Sequence, residues 1–312
     1  MTLVVKQPGL LSLLHDQGRF GRARLGLTTG GPADPVAANL ANRLLANEAT
    51  ATVVEVSFGG LQLLAEQVTQ IAVTGAELSI KVDGEPRPMW TGFDLPSGST
   101  LELGFSEIGC RTYVAVRGGF QIPESFGSTS TVVREGIGGL QGRKLEVGDR
   151  LAATPTRRVE PLWLPPSQRP RYHRRAILRI VLGYQEDDFS HLEQQRFFSG
   201  EYRVSDRCDR MGYRLDGPQI HTSRTGLLSE GIALGSVQIP ADGQPIILLH
   251  DRQTIGGYPK LGVVLSQDCA LLAQLRPGDA VHFRPISFED AHNAINLAHV
   301  FESARRLESA PR

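Results

Sequence analysis

Short runs of valine, isoleucine and leucine, broken by glycine and proline, recur along the whole chain and constrain its fold most. Two examples are QPIILL at 244–249 and LGVVL at 261–265. Apolar runs this short are typical of strands, and the 34 glycines and 19 prolines provide residues for the turns between them. The sequence therefore predicts a mainly β architecture with many turns and a few short helices.

Two parts of the chain repeat one pattern, which bears on the number of domains. GCRTYVAVRGGFQIP at 109–123 is followed by LEVGDRL at 145–151, and GQPIILLHDRQTIGGYP at 243–259 is followed by LRPGDAV at 275–281. Each part runs from a strand to Gly-Gly and an aromatic residue, and a later Gly-Asp turn opens another strand. The pattern and the length of 312 residues indicate two related domains, although both turn types are also common in unrelated sequences.

The segment 154–176 separates the two repeats. It contains five prolines and six arginines with little periodicity, a composition typical of a solvated connector. The sequence therefore predicts a first domain at 1–153, a linker at 154–176, a second domain at 177–286, and a C-terminal helix with a tail at 287–312.

Three helices are predicted from capping signals. Asp-Pro at 34–35 begins one, because aspartate caps a helix and proline is tolerated in its first turn. The segment EDDFSHLEQQRFF at 186–198 predicts a second helix, ended by Gly200. The capping box Ser287-x-x-Asp290 opens the third, which is the predicted C-terminal helix.

Charge and cysteine content exclude several classes of function. Lys plus Arg and Asp plus Glu both number 33, so no global basic field favours nucleic acid or anionic lipid. Cys110, Cys208 and Cys269 lie far apart without a C-x-x-C pair, which argues against a disulfide framework or a zinc site. The sequence has no secretory signal pattern and no run of about 18 apolar residues. We therefore expect a cytoplasmic protein with no metal site, no nucleic-acid partner and no membrane span.

The stretch HDRQTIGGYPKLG at 250–262 concentrates titratable side chains between two apolar runs. With Gly256 and Gly257 as the turn of a hairpin, alternation along the strands would place four polar side chains on one face: Asp251, Gln253, Tyr258 and Lys260. The alternative is a solvent-facing hairpin whose polar residues only keep it soluble.

Three further segments carry groups suited to binding. SDRCDRMGYRL at 205–215 contains Arg207, Arg210 and Arg214, and an arginine can hold a carboxylate through two hydrogen bonds. SEGIALGSVQIPADGQPI at 229–246 contributes Glu230 and Gln238. The glycine-rich turn before the helix at Asp34 and the hydroxyl-rich loop GSTSTVV at 127–133 suit an anion, although Asp34 itself can cap that helix. No P-loop, dinucleotide-binding or serine-nucleophile motif occurs.

These segments together resemble one known family. The matching motifs run in order through about residues 3–285 and include HDQGRFGRARLGLTTGGPADPVAANLANRLLAN, YVAVRGGF, GSTSTVV, SDRCDRMGYRL and GSVQIPADGQPIILLHDRQTIGGYPKLG. They resemble the biotin-dependent carboxyltransferase C-subunit / allophanate hydrolase subunit 2 family, which includes the C subunit of prokaryotic 5-oxoprolinase and the second half of the urea carboxylase carboxyltransferase domain. The sequence departs from the family pattern at His15, where glutamine is more frequent, and at Cys208, where serine is usual.

The resemblance implies a fold, partners and an activity. The implied fold is a pair of cyclophilin-like β-barrel domains, and the implied partners are a B-subunit-like protein that completes the active site and an A-subunit-like protein. The leading hypothesis is the C subunit of an ATP-dependent 5-oxoprolinase complex, which opens the lactam of 5-oxoproline to glutamate and is inactive without partners. ATP is used by the complex, not through a P-loop in this chain.

Under this hypothesis the polar segments receive roles. Arg210 holds the substrate carboxylate, and Gln238, Gln253 and Thr254 contact the lactam, because an amide side chain matches the cis N–H and C=O of such a ring. The catalytic residues that assist proton transfer are Asp251, Tyr258 and Lys260.

Two other functions remain open. The chain can be a carboxyltransferase subunit that moves a carboxyl group from carboxybiotin to urea or a similar small amide, because the ureido ring of biotin also presents a cis N–H and C=O. It can also be a non-catalytic regulatory binding module.

Overall fold

The computed structural model describes residues 1–224 and 227–310, which divide into two compact units. The first unit contains Met1–Gly21, Thr29–Tyr172 and the chain from Arg305 onward, and the second contains Arg22–Thr28 and His173–Ala304. Strands outnumber helices in both units, which confirms the mainly β class. The change from one unit to the other after Tyr172 lies inside the segment predicted as a linker.

The first unit, in its described residues, is built on two large sheets, one α-helix and a two-stranded pair of Leu162–Trp163 with Glu308–Ser309. Its elements in chain order are β1 (Thr2–Pro8), β2 (Leu11–His15), α1 (Pro35–Leu44), β3 (Val53–Ser57), β4 (Leu61–Ala65), β5 (Thr69–Glu77), β6 (Ile80–Val82), β7 (Glu85–Arg87), β8 (Gly92–Leu95), β9 (Thr100–Leu103), β10 (Ile108–Val116), β11 (Arg150–Ala152) and β12 (Leu162–Trp163). One sheet has the order β11-β1-β4-β9-β6-β7 and the other β2-β3-β10-β5-β8.

The two sheets of this unit share one apolar core. Leu63 of β4 and Val54 of β3 are fully buried in the same cluster, although they belong to different sheets. The residues of β3 and β10 are buried on both faces, because α1 covers the other side of their sheet with Leu40 and Leu44. Strands covered on both faces read as continuous apolar runs, as in YVAV of β10.

The Asp34 cap predicted for α1 is confirmed. Its carboxylate accepts a hydrogen bond from the Ala37 N–H at 3.1 Å and another from the Tyr172 hydroxyl at 2.7 Å. We expect Asp34→Ala to lower the free energy of unfolding by about 1–2 kcal/mol, since both bonds are lost at a buried position. Chemical denaturation of the full chain measures this, with Ser287→Ala as the control, because Ser287 caps the third predicted helix at an exposed position. Equal losses in both variants would contradict the expectation.

Part of the predicted linker packs on the first unit, whereas residues 155–158 and 173–175 are exposed. Leu164 is fully buried, Val159 N–H donates to the Gln70 side chain at 2.9 Å, and β12 pairs with the chain terminus at Glu308–Ser309. The proline content alone does not indicate this packing, because prolines fix the backbone but leave apolar neighbours such as Leu164 free to pack.

The second unit is built on a closed barrel. Its elements in chain order are β13 (Arg175–Leu182), α2 (His191–Ser199), β14 (Tyr202–Cys208), β15 (Gly212–Asp216), β16 (Glu230–Gly231), β17 (Ser236–Gln238), β18 (Ile246–Leu248), β19 (Ile255–Gly256), β20 (Lys260–Val264), α3 (Ser266–Ala273), β21 (Ala280–Pro285) and α4 (Phe288–Ala304). The barrel order is β13-β20-β17-β18-β15-β14-β21, and it closes through the parallel pair β13 and β21.

The other two predicted helices are present with small changes. The segment 186–198 divides into a 3-10 turn at Glu186–Asp188 and α2, which begins after the Ser190 cap and is followed by Gly200. The capping box opens α4, where the Asp290 N–H donates to Ser287 Oγ at 3.0 Å.

The predicted hairpin at Gly256-Gly257 is wrong. Strands β18 and β20 are not neighbours, because β17 lies between them and pairs with both. Ile255–Gly256 instead forms β19, which pairs with β16. Neither glycine adopts the positive φ that a two-residue hairpin turn needs.

The repeated Gly-Asp turns do correspond in structure. Gly148 and Gly278 have φ of 90° and 89°, a conformation that favours glycine. Each donates its N–H to a strand carbonyl at 2.8 Å, Val5 O in the first unit and Val204 O in the second. This match supports the expectation that the two units are related.

Candidate functional site

A cavity of about 550 Å³ opens in the second unit. Residues 206–209 and Met211, at the end of β14 and in the turn after it, form one wall. Ile232, Gln253 and Tyr258 line it from the segments around β16 and β19. This volume is within the usual range for sites that hold small molecules, about 300–1,000 Å³.

The floor of the cavity is the outer face of the barrel. Val237, Ile247 and Leu261 point into the barrel core and are fully buried, so their neighbours along the strands point outward. Directly paired residues project to the same face of a sheet. Pairing therefore builds one outward row across four strands, in the order Arg214, Ile246, Gln238 and Lys260.

Gln238 is the polar group at the middle of this row. The residue is 5% exposed, and its Nε2 has no hydrogen-bond partner in the described part of the chain. Gly256 lies against it, since a Cβ at that glycine would be 2.9 Å from Nε2. A buried donor without a partner costs free energy, about 1–3 kcal/mol, and a ligand carbonyl can satisfy it. Gln238 is thus placed to recognise an acceptor in the cavity.

Lys260 stands beside Gln238 and carries a network of its own. Its Nζ forms an ion pair with Glu230, whose carboxylate also accepts a hydrogen bond from the Tyr184 hydroxyl. Gln185 joins the two residues, because its Nε2 donates to Glu230 at 2.6 Å and its Oε1 accepts from the Lys260 backbone N–H at 2.7 Å. The buried amide of Gln185 thereby links the Glu230 carboxylate to the backbone of Lys260.

Hydrogen bonding sets the protonation state of this network. The bond from Lys260, and then that from Tyr184, lower the pKa of the Glu230 carboxyl. The same bond to Glu230 raises the pKa of the Tyr184 phenol. At neutral pH the carboxylate is therefore ionised and the phenol protonated, so Glu230 can balance a positive charge on Lys260.

Arg210 and Asp251 are paired with each other. The Arg210 Nε and Nη2 donate to the two Asp251 oxygens at 3.0 Å each, and their side chains are 6% and 10% exposed. Both lie outside the cavity lining that the described residues form. These contacts favour a structural role over the predicted binding of a substrate carboxylate by Arg210 and over proton transfer by Asp251.

The other predicted site residues differ in position. Gln238, Gln253 and Tyr258 line one cavity, and Lys260 extends the row that forms its floor. Thr254 does not contribute to the lining among the described residues, and its carbonyl accepts the Ile232 N–H at 3.1 Å. The structure thus brings together the two glutamines and the phenol, by a route other than the predicted hairpin, and places Lys260 outside the lining as the strand partner of Gln238.

Several residues of the site were not assigned a role in it from the sequence. Arg207 and Asp206 lie in the arginine-rich segment that indicated binding, yet only the fold places them on the wall. Tyr184 and Gln185 follow β13, far along the chain from Glu230 and Lys260, and no local pattern indicates their contact.

The anion-binding segments proposed for the first unit are satisfied internally. Asp16 accepts hydrogen bonds from the hydroxyl-rich loop, at Ser130 Oγ (2.7 Å) and the Thr129 N–H (2.8 Å), and from the Ser128 hydroxyl. Burial raises the pKa of Asp16, but these bonds outweigh it and the net shift is downward. The loop therefore already holds a carboxylate, and the N-terminus of α1 is capped by Asp34.

Two kinds of feature are absent from the described residues. Within residues 1–224 and 227–310, no group of three His, Cys, Asp or Glu side chains is placed to hold a metal ion. Over the same ranges, no helix has the length and apolar character needed to cross a bilayer.

A closed barrel with a cavity of about 550 Å³ on its outer face, in a chain of two mainly β units, defines the class of a two-unit β protein with a candidate small-molecule site. Residues 25–285 match the family described as the carboxyltransferase domain, subdomain A and B. The chain belongs to this family, which confirms the resemblance seen in the sequence.

Relatives of two kinds are similar to the chain. It is 35% identical over 295 residues to the 5-oxoprolinase C subunit of Escherichia coli, with 94% of each chain covered. It is 30% identical over 306 residues to the urea amidolyase of Saccharomyces cerevisiae, covering 92% of this chain but 17% of that protein. The crystal structure of the Kluyveromyces lactis urea carboxylase matches with a TM-score of 0.92 at 27% identity, covering 100% of this chain and 30% of that one.

Proposed function

We propose that the chain is the C subunit of an ATP-dependent 5-oxoprolinase complex, which opens the lactam of 5-oxoproline to glutamate. The end-to-end match with a protein named as the C subunit of 5-oxoprolinase supports this, because 94% of each chain is covered. We further propose that a B-subunit-like and an A-subunit-like protein complete the complex. The nucleotide is handled with these partners, since the chain has no P-loop.

The observation that carries the proposal is the unpartnered amide of Gln238 on the cavity floor. A lactam presents a carbonyl acceptor and an N–H donor on the same side of a small ring. A side-chain amide offers the complementary donor and acceptor. Gln238 Nε2 can therefore donate to the lactam oxygen, and Gln253 and Tyr258 add polar groups around the same ring.

Lys260 supplies the proton that ring opening requires. One water adds to the lactam carbonyl carbon, the C–N bond breaks, and the leaving nitrogen takes up a proton to become an amine, while the proton released by the attacking water returns to the donor. A second water converts ATP to ADP and phosphate. Lys260 pairs with Gln238 across β17 and β20, next to a register shift between these two strands. Its ammonium can donate the proton, and the Glu230 carboxylate keeps it oriented.

The direct test is reconstitution of the complex from this chain and its co-purifying partners. We expect glutamate to form from 5-oxoproline only when ATP and all subunits are present. Omission of this chain is the control. A complete complex that consumes no 5-oxoproline would contradict the proposal, and carboxylation of urea by the same mixture with a biotin carrier protein would replace it.

Gln238→Leu is expected to lower kcat/KM for 5-oxoproline by about 10- to 100-fold, since one hydrogen bond to a buried acceptor is lost. The variant should unfold at the same or a higher temperature, because leucine leaves no buried donor without a partner. Gln244→Leu is the matched control, since that amide is half-buried, lies outside the cavity lining and, among the described residues, bonds to the Gly217 backbone. An unchanged kcat/KM in Gln238→Leu would show that the Gln238 amide does not contact the substrate.

The second candidate is transfer of a carboxyl group from carboxybiotin to urea or a similar small amide. It is favoured by the match of the whole chain to the Kluyveromyces lactis urea carboxylase structure. The ureido ring of biotin presents the same cis N–H and C=O to Gln238. Both candidates thus use the same floor, and they differ in whether the ligand carries a carboxylate.

A further inference from the structure

Three arginines stand at or near the cavity, and two of them are already neutralised. Arg214 on the floor donates to Asp242 at 2.7 Å. Arg210 is held by Asp251 outside the lining. Arg207 lines the wall, is exposed, and forms no ion pair or hydrogen bond through its side chain in the described ranges. Its charge is therefore available to a ligand.

We propose that Arg207 makes the site specific for cyclic amides that carry a carboxylate, an inference that rests on the proposed function. Arginine binds a carboxylate through two parallel hydrogen bonds, which no neutral ligand can match. 5-Oxoproline carries a carboxylate on the ring carbon next to the lactam nitrogen, whereas urea and the ureido ring of biotin carry none. Arg207 is thus a specificity residue that separates the two candidate substrates.

The fold places Arg207 at a suitable distance from the amide. Arg207 is on β14 and Gln238 on β17, with β15 and β18 between them, which corresponds to three strand spacings or about 14 Å between backbones. Both side chains line the one cavity, so they approach the same space from its two sides. One ligand can therefore meet the amide through its lactam and the guanidinium through its carboxylate.

Asp206 gives the same wall a group of opposite sign. It is exposed, lines the cavity, and has no hydrogen bond or ion pair through its carboxylate among the described residues. A carboxylate a few ångström from a bound anion repels it weakly through water. Removal of the Asp206 charge should therefore strengthen binding of the carboxylate ligand, whereas removal of the Arg207 charge should weaken it.

The experiment compares two ligands in the reconstituted complex, 5-oxoproline and its neutral amide, 5-oxoprolinamide. Calorimetry gives the Kd of each ligand, and turnover gives KM and kcat for 5-oxoproline. The variants are Arg207→Gln and Asp206→Asn. Arg203→Gln is the control, because Arg203 is exposed on the same strand but pairs with Glu201 away from the cavity.

Arg207→Gln should raise the Kd and KM for 5-oxoproline by about 10- to 100-fold and leave the Kd of the neutral amide unchanged. Asp206→Asn should lower the Kd of 5-oxoproline by roughly 2- to 5-fold, and Arg203→Gln should change neither ligand. The ligand-by-residue cycle isolates the carboxylate contact from any change in the fold.

The outcomes separate this inference from the proposed function. A wild-type complex that turns over 5-oxoproline while Arg207→Gln keeps the same preference for the carboxylate over the amide would overturn the inference alone. A wild-type complex that neither binds nor turns over 5-oxoproline would contradict the proposed function, and the carboxylate specificity with it.

Discussion

Asp251→Ala is expected to lower the free energy of unfolding by about 3–5 kcal/mol, because it removes the two-pronged ion pair that Asp251 forms with the buried Arg210 guanidinium. The two side chains are 6% and 10% exposed and share two hydrogen bonds of 3.0 Å. The backbone adds to the link, since the Asp251 N–H donates to Arg210 O at 2.9 Å. The pair therefore ties the segment after β18 to the turn that forms the cavity wall.

Denaturant unfolding of the full chain measures this loss, and two controls define its origin. The double variant Arg210→Met, Asp251→Leu should recover much of the stability, because both charges of the pair are then removed together. Asp94→Ala removes a similar two-pronged partner from Arg158 at an exposed site, where solvent screens the pair, and should cost far less. Unfolding curves of Asp251→Ala and wild type that coincide would show that the pair does not hold this part of the barrel.

The sequence predicted helices where a side chain caps them. Asp34 and Ser287 both hydrogen-bond to the first turn of their helices, as the capping pattern indicates. Helix α3 escaped prediction because Leu265 at its N-cap provides no side-chain hydrogen bond. The acid in its first turn, Asp268, is instead buried and paired with Arg179 of β13. That contact joins residues 89 positions apart, so no local pattern can reveal it.

The prediction of strand pairing was wrong for a related reason. The runs 244–249 and 261–265 are neighbours in sequence around a Gly-Gly, and the nearest pairing is a hairpin. In the barrel β17, which precedes both in the chain, inserts between them. A closed barrel satisfies every strand edge, and this long-range gain outweighs the local turn preference of two glycines.

For the site, the sequence indicated segments but not partners. The segments that contain Gln238, Gln253, Tyr258 and Lys260 were identified, because they place amide, phenol and amine side chains next to short apolar strands. Which charges neutralise each other depends on tertiary contacts, as the Arg210–Asp251 and Lys260–Glu230 pairs show. In our proposals the residue that binds the carboxylate is therefore Arg207 instead of Arg210, which lies three residues later in the same motif.

Lys260→Ala is expected to lower the kcat of the reconstituted complex by about 10²- to 10⁴-fold, the usual contribution of a positioned proton donor. KM for 5-oxoproline should change little, since Gln238 and Arg207 remain to bind the ring and its carboxylate. The fold should persist, because Glu230 keeps its hydrogen bonds to Tyr184 and Gln185 and its side chain is 34% exposed. Lys144→Ala, at an exposed position in the first unit, is the matched control.

Chemical rescue distinguishes proton donation by Lys260 from support of the cavity shape. Removal of the side chain beyond Cβ leaves room beside Gln238, which a small primary amine can enter as its ammonium form. We expect added ethylamine to restore part of the lost kcat in Lys260→Ala and none in Gln238→Leu, because an amine replaces the missing donor only where the amine was removed. Rescue should also weaken in the double variant Lys260→Ala, Glu230→Gln, since the carboxylate that orients the ammonium is then gone. Full kcat in Lys260→Ala without any amine would assign the proton to another group and leave the ion pair a purely structural contact.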